Sequence, residues 1–194
     1  LGASGVMVLA NIAGKSLTDP FFKPIWQEID KRGLPVLLHP TDPPGADFMD
    51  MGEFDLSWSV GFMFDTTLAI TRMIFDGFFD SYPNLKLIAS HGGAALPYLV
   101  GRFEKGDEVE LPSRRKMKQK PTDYLRHIYY DSITYDPRAL QYLISIVGSD
   151  RVMFGTDWPH QVFDTEASKR NTEILPKDQC QSIRHQNAEK VFGF

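Results

Sequence analysis

Short apolar runs alternate along the chain with longer segments in which apolar residues recur every three or four positions. The short runs are typical of buried strands, and the longer spacing is typical of amphipathic helices. Five runs have strand character, and they cover residues 5–9, 35–39, 85–91, 127–133 and 151–157. Because helical spacing follows each run, the pattern predicts an α/β fold of parallel βα units with helices covering both faces of the sheet.

Helix and loop signals fit the same organisation. Asp19-Pro20 has the form of an N-cap followed by a first-turn proline, ahead of a helical segment. A long helix is predicted over roughly residues 57–79, and residues 106–120 form a polar, basic connector. Because no linker separates these units, we expect residues 1–194 to form a single domain.

The composition narrows the classes of function. The chain has 194 residues, of which 42% are hydrophobic, and this is enough for one sizeable core. A net charge of -4 gives no support for binding to nucleic acid or to a membrane surface. The single cysteine, Cys180, excludes an internal disulfide and a thiolate metal cluster, and it fits either a reducing cytoplasm or indifference to the compartment; we expect a cytoplasmic location. No apolar run approaches the roughly 20 residues of a membrane helix.

Three polar residues occupy the same place in three of the predicted βα units. His39 ends the run "PVLLH", His91 ends "LKLIASH" and Asp157 ends "RVMFGTD". The carboxyl ends of parallel strands form one rim, so we expect these side chains to lie together. Two imidazoles and a carboxylate suit a divalent metal of the zinc or manganese type. Each residue alone also fits a structural role, and the pattern leaves a metal site and an acid–base site both open.

Longer motifs carry a family resemblance. They are "LPVLLHP", "FDSYPNLKLIASHGGAALPYLVGRFEKG", "YYDSITYDP", "VGSDRVMFGTDWPH" and the terminal "NAEKVFGF". Their order and spacing resemble the amidohydrolase-related superfamily, specifically the branch of aminocarboxymuconate-semialdehyde decarboxylase and related nonoxidative decarboxylases. The resemblance implies a metal-dependent hydrolase-type TIM (β/α)8 barrel, of which this chain covers about strands 4 to 8.

The resemblance also implies roles for residues on the predicted rim. His39 and Asp157 correspond to metal ligands, and Asp157 is counted with His91 in the catalytic set. His91 corresponds to the residue that activates metal-bound water or delivers a proton. Arg102 matches a family arginine that binds the substrate carboxylate, in some members across a dimer interface. Trp58 is a candidate for an aromatic residue over the substrate, with packing as an equal alternative.

One large departure separates this chain from the superfamily pattern. The first strand of these enzymes normally carries a His-x-His pair that supplies two further metal ligands, and the sequence has no such pair. We therefore expect the chain to be the C-terminal part of a longer barrel. Its open sheet edges would then be covered by another segment or by a partner chain.

Three functions fit these residues. The leading one is a metal-dependent nonoxidative decarboxylase, a carbon-carbon lyase that acts on an unsaturated or aromatic carboxylic acid. The second is a metal-dependent hydrolase, either a lactonase or a carbon-carbon bond hydrolase, because some lactonases share "GTDWPH", in which His160 would contact the substrate. The third is an inactive fragment that serves as an interaction module. For the enzyme, the resemblance implies zinc first and manganese second, a small carboxylate substrate and a homodimer.

Overall fold

Parallel strands form the centre of the fold. The computed structural model describes residues 2–109 and 116–194. Its strands are β1 Val6–Leu9, β2 Asn11–Ile12, β3 Lys15–Ser16, β4 Pro35–His39, β5 Lys86–Ala89, β6 Tyr129–Asp131 and β7 Val152–Met153. Five of them pair in parallel in the order β1-β4-β5-β6-β7, and β2 and β3 form a short antiparallel hairpin. The parallel sheet predicted from the alternating pattern is therefore confirmed.

Helices occupy the segments between the strands. The α-helices are α1 Lys23–Arg32, α2 Phe62–Phe75, α3 Phe78–Ser81, α4 Leu96–Glu108, α5 Pro121–Leu125, α6 Pro137–Val147, α7 Thr165–Glu173, α8 Lys177–Gln181 and α9 Asn187–Phe192. Asp19 caps the 3-10 turn before α1, because its Oδ1 accepts the Phe21 N–H at 2.9 Å. Within the described ranges, no helix is both long and apolar enough to cross a membrane.

The two faces of the sheet bury different clusters. One face packs on the helices through fully buried strand residues, among them Val36, Leu38, Leu87 and Tyr130. The other face forms a smaller cluster with α9, through Leu37, Ile88, Tyr129, Met153 and Val191. Side chains alternate along a strand, so His39 shares the face of Leu37 and Asp131 shares the face of Tyr129. Polar groups therefore collect on this second face, at the carboxyl ends of the strands.

The long helix predicted over residues 57–79 is divided. A π-helical turn, Ser57–Gly61, leads into α2, and α3 is a separate helix. Gly77 lies between α2 and α3 with a φ of 69°, and a Cβ there would lie 2.8 Å from the carbonyl oxygen of Lys116. The apolar periodicity of the sequence continues across Gly77, but the helix itself breaks there because of backbone packing. The prediction of one continuous helix was therefore wrong.

Loop boundaries also differ from the predicted ones. Strands β5, β6 and β7 end earlier than the apolar runs do, because the last residues of those runs bend into the loops of the rim. The start of the connector predicted over residues 106–120 is helical, since α4 extends to Glu108. Residues 110–115 of that connector lie outside the described residues.

Gly93 provides a test of the packing beneath the rim. Its φ is 75°, and an added Cβ would lie 2.6 Å from ring carbons of the fully buried Tyr130. Left-handed strain and overpacking together should lower the free energy of unfolding of Gly93→Ala by about 2 to 4 kcal/mol. Urea unfolding measures this change.

Gly101→Ala is the matched control. Gly101 lies within α4, and an added Cβ there meets no described atom within 4 Å. This variant should be as stable as the wild type or more stable by up to about 1 kcal/mol, because alanine favours the helix. Equal unfolding midpoints for Gly93→Ala and the wild type would contradict the described packing of Gly93 against Tyr130.

Candidate metal centre and active site

The three predicted rim residues lie together at the carboxyl ends of their strands. His39 is the last residue of β4, whereas His91 and Asp157 follow the ends of β5 and β7. His91 Nε2 lies 3.5 Å from Asp157 Oδ1, and the ring centroids of His39 and His91 are 5.4 Å apart. The parallel sheet thus brings together residues that are separated by more than a hundred positions in the sequence.

His39 presents a free ring nitrogen. Its Nδ1 lies 2.9 Å from the carbonyl oxygen of Pro40, and a carbonyl only accepts, so Nδ1 carries the proton. Nε2 then has a lone pair, and it is buried with no hydrogen-bond partner among the described residues. Burial is the main cause that lowers the pKa of His39, which keeps the ring neutral near pH 7. A neutral imidazole whose other nitrogen donates to a carbonyl has the form of a metal ligand.

Asp157 is held from two sides. Its Oδ1 faces His91, and its Oδ2 accepts a hydrogen bond from the Tyr135 hydroxyl at 3.1 Å. Burial, followed by the charge of Asp157, raises the pKa of Tyr135, so this hydroxyl remains protonated and available as a donor. Asp157 is not the N-cap of α7, because Asp164 fills that position. The position of the Asp157 carboxylate on the rim is therefore fixed.

Asp131 holds the backbone of His91. Its Oδ2 accepts the His91 N–H and its Oδ1 accepts the Gly92 N–H, both at 2.9 Å, and Oδ1 also accepts the Ile133 N–H at 3.0 Å. Burial raises the pKa of Asp131, whereas the nearby His91 ring and the three N–H donors favour its charged form. His91 has a φ of 54°, a conformation that costs free energy and needs such support.

A second buried acid fixes the loop after β4. Asp65 is 2% exposed, and its Oδ2 accepts the Thr41 N–H at 3.1 Å. Both of its carboxylate oxygens accept from the Asn11 side-chain amide, which also donates to the carbonyl oxygen of Asp42 at 3.1 Å. These bonds tie α2 and the β2-β3 hairpin to the loop that directly follows His39. An acid inside the apolar stretch "FMFDTTLAI" was the sequence signal for this network.

His160 lies beside the candidate ligands. Its backbone N–H donates to the Asp157 carbonyl oxygen at 2.9 Å, and its ring stacks on His39 with centroids 5.1 Å apart. One potential ligand atom from each of His39, Asp157 and His160 lies within 4.8 Å of the others. The sequence-based hypothesis assigned His160 to the substrate, whereas its position is also that of a possible ligand.

Two cavities meet at His91. One, of about 860 Å³, is lined by the polar residues His39, Asp157 and His160. The other, of about 380 Å³, is largely apolar and is lined by residues that include Pro97, Ile133 and Leu143. Trp58, Phe62 and His91 line both cavities. The exposed Arg102 on α4 is not among the described residues that line either one.

Comparison with known families bears directly on this arrangement. A family model described as Amidohydrolase matches residues 1–194. The chain belongs to the amidohydrolase family. A 2-amino-3-carboxymuconate-6-semialdehyde decarboxylase from Dictyostelium discoideum is 37% identical over 185 residues, which are 95% of this chain and 48% of that protein. A gamma-resorcylate decarboxylase from Rhizobium radiobacter is 29% identical over 178 residues, which are 89% of this chain and 54% of that protein.

A solved amidohydrolase-type structure has the same fold. It is 5-carboxyvanillate decarboxylase from Novosphingobium aromaticivorans, complexed with manganese and 4-hydroxy-3-methoxy-5-nitrobenzoic acid. The TM-score is 0.88 at 26% identity, over 100% of this chain and 57% of that one. The family resemblance and the barrel-type fold class predicted from sequence are confirmed, and this chain corresponds to part of the barrel of that structure. The chain spans about half the length of the curated relatives that it matches.

Asp131→Asn should disturb the rim, although the asparagine side chain has nearly the same shape as the aspartate it replaces. The amide nitrogen cannot accept a hydrogen bond, so at least one buried backbone N–H from the segment of His91, Gly92 and Ile133 loses its partner. We expect the free energy of unfolding to fall by about 1 to 3 kcal/mol. Urea unfolding measures the fall, and the exposed Asp123→Asn should change it by less than about 0.5 kcal/mol. Equal losses in both variants would show that Asp131 has no special role.

Proposed function

We propose that this chain supplies metal-binding and proton-transfer residues of a metal-dependent nonoxidative decarboxylase that acts on an unsaturated or aromatic carboxylic acid. The observation that carries the proposal is the buried, unpartnered Nε2 of neutral His39, close to Asp157 and His91. The relatives named above are decarboxylases of such acids, which supports this reaction class.

The donor set fits a divalent metal ion. His39 would offer Nε2 and Asp157 a carboxylate oxygen, and both sit where the described side chains leave a polar cavity. Imidazole and carboxylate donors suit zinc and manganese alike. The family resemblance implies zinc first, whereas the solved 5-carboxyvanillate decarboxylase contains manganese. When bound, the ion would supply positive charge that stabilises negative charge developing on the substrate.

His91 is suited to move the proton. Loss of carbon dioxide breaks the bond between the carboxyl carbon and the substrate carbon, and it leaves the electron pair on that substrate carbon. A proton must then reach the same carbon, and the His91 imidazolium would supply it and recover a proton from water. The ring lies between the polar and the apolar cavity, 3.5 Å from the Asp157 carboxylate.

Substrate contacts complete the proposal. Trp58 is 45% exposed and lines both cavities, so its ring could cover a planar substrate there. Arg102 is exposed on α4 and does not line either of the two cavities described above, so its guanidinium is available to the site of a second subunit. We therefore propose a homodimer in which the guanidinium forks onto the partner's substrate. A single domain and a cytoplasmic location are part of the same proposal.

Turnover in isotopically labelled water separates the lyase from the hydrolase. The substrates to test are 2,6-dihydroxybenzoate, which is bound in a solved decarboxylase of the same fold, and 5-carboxyvanillate, for which the solved structure described above is named. The proposal predicts that carbon dioxide is released. The remaining product should carry one hydrogen from the labelled water and no oxygen from it. Mass spectrometry of the product makes the measurement. Labelled oxygen bonded to a substrate carbon would support hydrolysis instead.

Two histidine variants control this experiment. His91→Gln should lower kcat by about 10²-fold to 10⁴-fold, because a positioned acid is lost. His127→Gln should keep the wild-type kcat, since His127 is exposed beyond the opposite end of the sheet, before β6. Equal rates for the two variants would contradict the role proposed for His91.

A further inference from the structure

We infer that His160 is a metal ligand, the third in a set with His39 and Asp157. This inference rests on the metal centre of the proposed function, and it changes the role of His160 from substrate contact to ligand. The three side chains come from the end of β4 and from the loop after β7, and their potential ligand atoms all lie within 4.8 Å of one another.

The spacing of these atoms brings them within reach of one ion. Ligand atoms about 2.0 to 2.2 Å from one ion lie roughly 3.3 to 3.6 Å apart at a tetrahedral angle. The observed limit of 4.8 Å exceeds this separation by roughly 1 Å or slightly more. His160 is exposed and touches His39 through the stacked ring, so rotation of the His160 side chain would close the difference.

The backbone brings His160 to this place. The hydrogen bond from its N–H to the Asp157 carbonyl oxygen, 2.9 Å long, closes a turn three residues beyond the carboxylate. The same turn places its ring nearly parallel to that of His39, with an interplanar angle of 15°. Because Asp157 is itself anchored by Tyr135, the turn holds His160 in a fixed relation to the other two groups.

The three side chains have the chemistry of a catalytic metal site. Two imidazoles and one carboxylate are a recurring three-ligand set in catalytic sites, and they leave coordination positions open for water or substrate. His91 stays outside this set and remains free to carry a proton. A His160 that only touched substrate would have no effect on metal affinity, and this difference can be measured without any substrate.

Manganese titration tests the inference. Electron paramagnetic resonance follows free Mn²⁺ as it is added to the apo wild-type chain and to His160→Ala, His39→Ala and His127→Ala. We expect each wild-type chain to bind one Mn²⁺. The affinity for Mn²⁺ should fall at least about tenfold in His160→Ala and in His39→Ala, and it should be unchanged in His127→Ala. Circular dichroism of each variant checks that it is folded, and Asp157→Asn replaces His39→Ala if the latter unfolds.

The outcomes separate this inference from the proposed function. Weaker binding by His39→Ala with wild-type affinity in His160→Ala would overturn the ligand role of His160 and leave the metal centre standing. Wild-type affinity in both variants, or no binding by the wild-type chain, would overturn the metal centre together with the inference. A matching loss in His127→Ala would assign the measured Mn²⁺ to nonspecific sites, and this would also overturn it.

Discussion

Parallel pairing of β4 with β5, β5 with β6 and β6 with β7 is the constraint on which the rest of the structure depends. Parallel strands end on the same edge, so loops from distant parts of the chain meet there. This arrangement explains why His39, Asp131 and the segments that carry His91 and Asp157 lie close together. Since side chains alternate along each strand, the same pairing separates the helix-facing core from the face that bears the site.

Polar side chains hold the rim in a conformation that the chain would not adopt alone. His91, Tyr135 and Asp157 all have positive φ values, between 54° and 63°. Such a conformation is unfavourable for residues with a side chain, and it persists where the surrounding structure determines it. Asp131 anchors the backbone of His91, and Tyr135 anchors the carboxylate of Asp157. Strain and anchoring coincide at the residues that the proposed chemistry uses.

Much of this organisation could be predicted from the sequence. The apolar runs identified the strands of the parallel sheet, and their polar ends identified His39, His91 and Asp157. Asp131 and Asp65 were missed, because a buried acid that serves backbone N–H groups has the same sequence pattern as an acid in any turn. The division of the helix at Gly77 was also missed, because it depends on contact with Lys116, which is distant in sequence. Local patterns thus predict elements and strand ends, whereas anchoring contacts between loops require the folded structure.

The central claim is that the rim binds a divalent metal ion through side chains gathered from separate βα loops. Anomalous diffraction from crystals grown with Mn²⁺, measured on both sides of the manganese absorption edge, tests it most directly. The account predicts one anomalous peak in contact with His39 Nε2 and a carboxylate oxygen of Asp157. A peak elsewhere, or an ordered rim with no peak at saturating Mn²⁺, would contradict it.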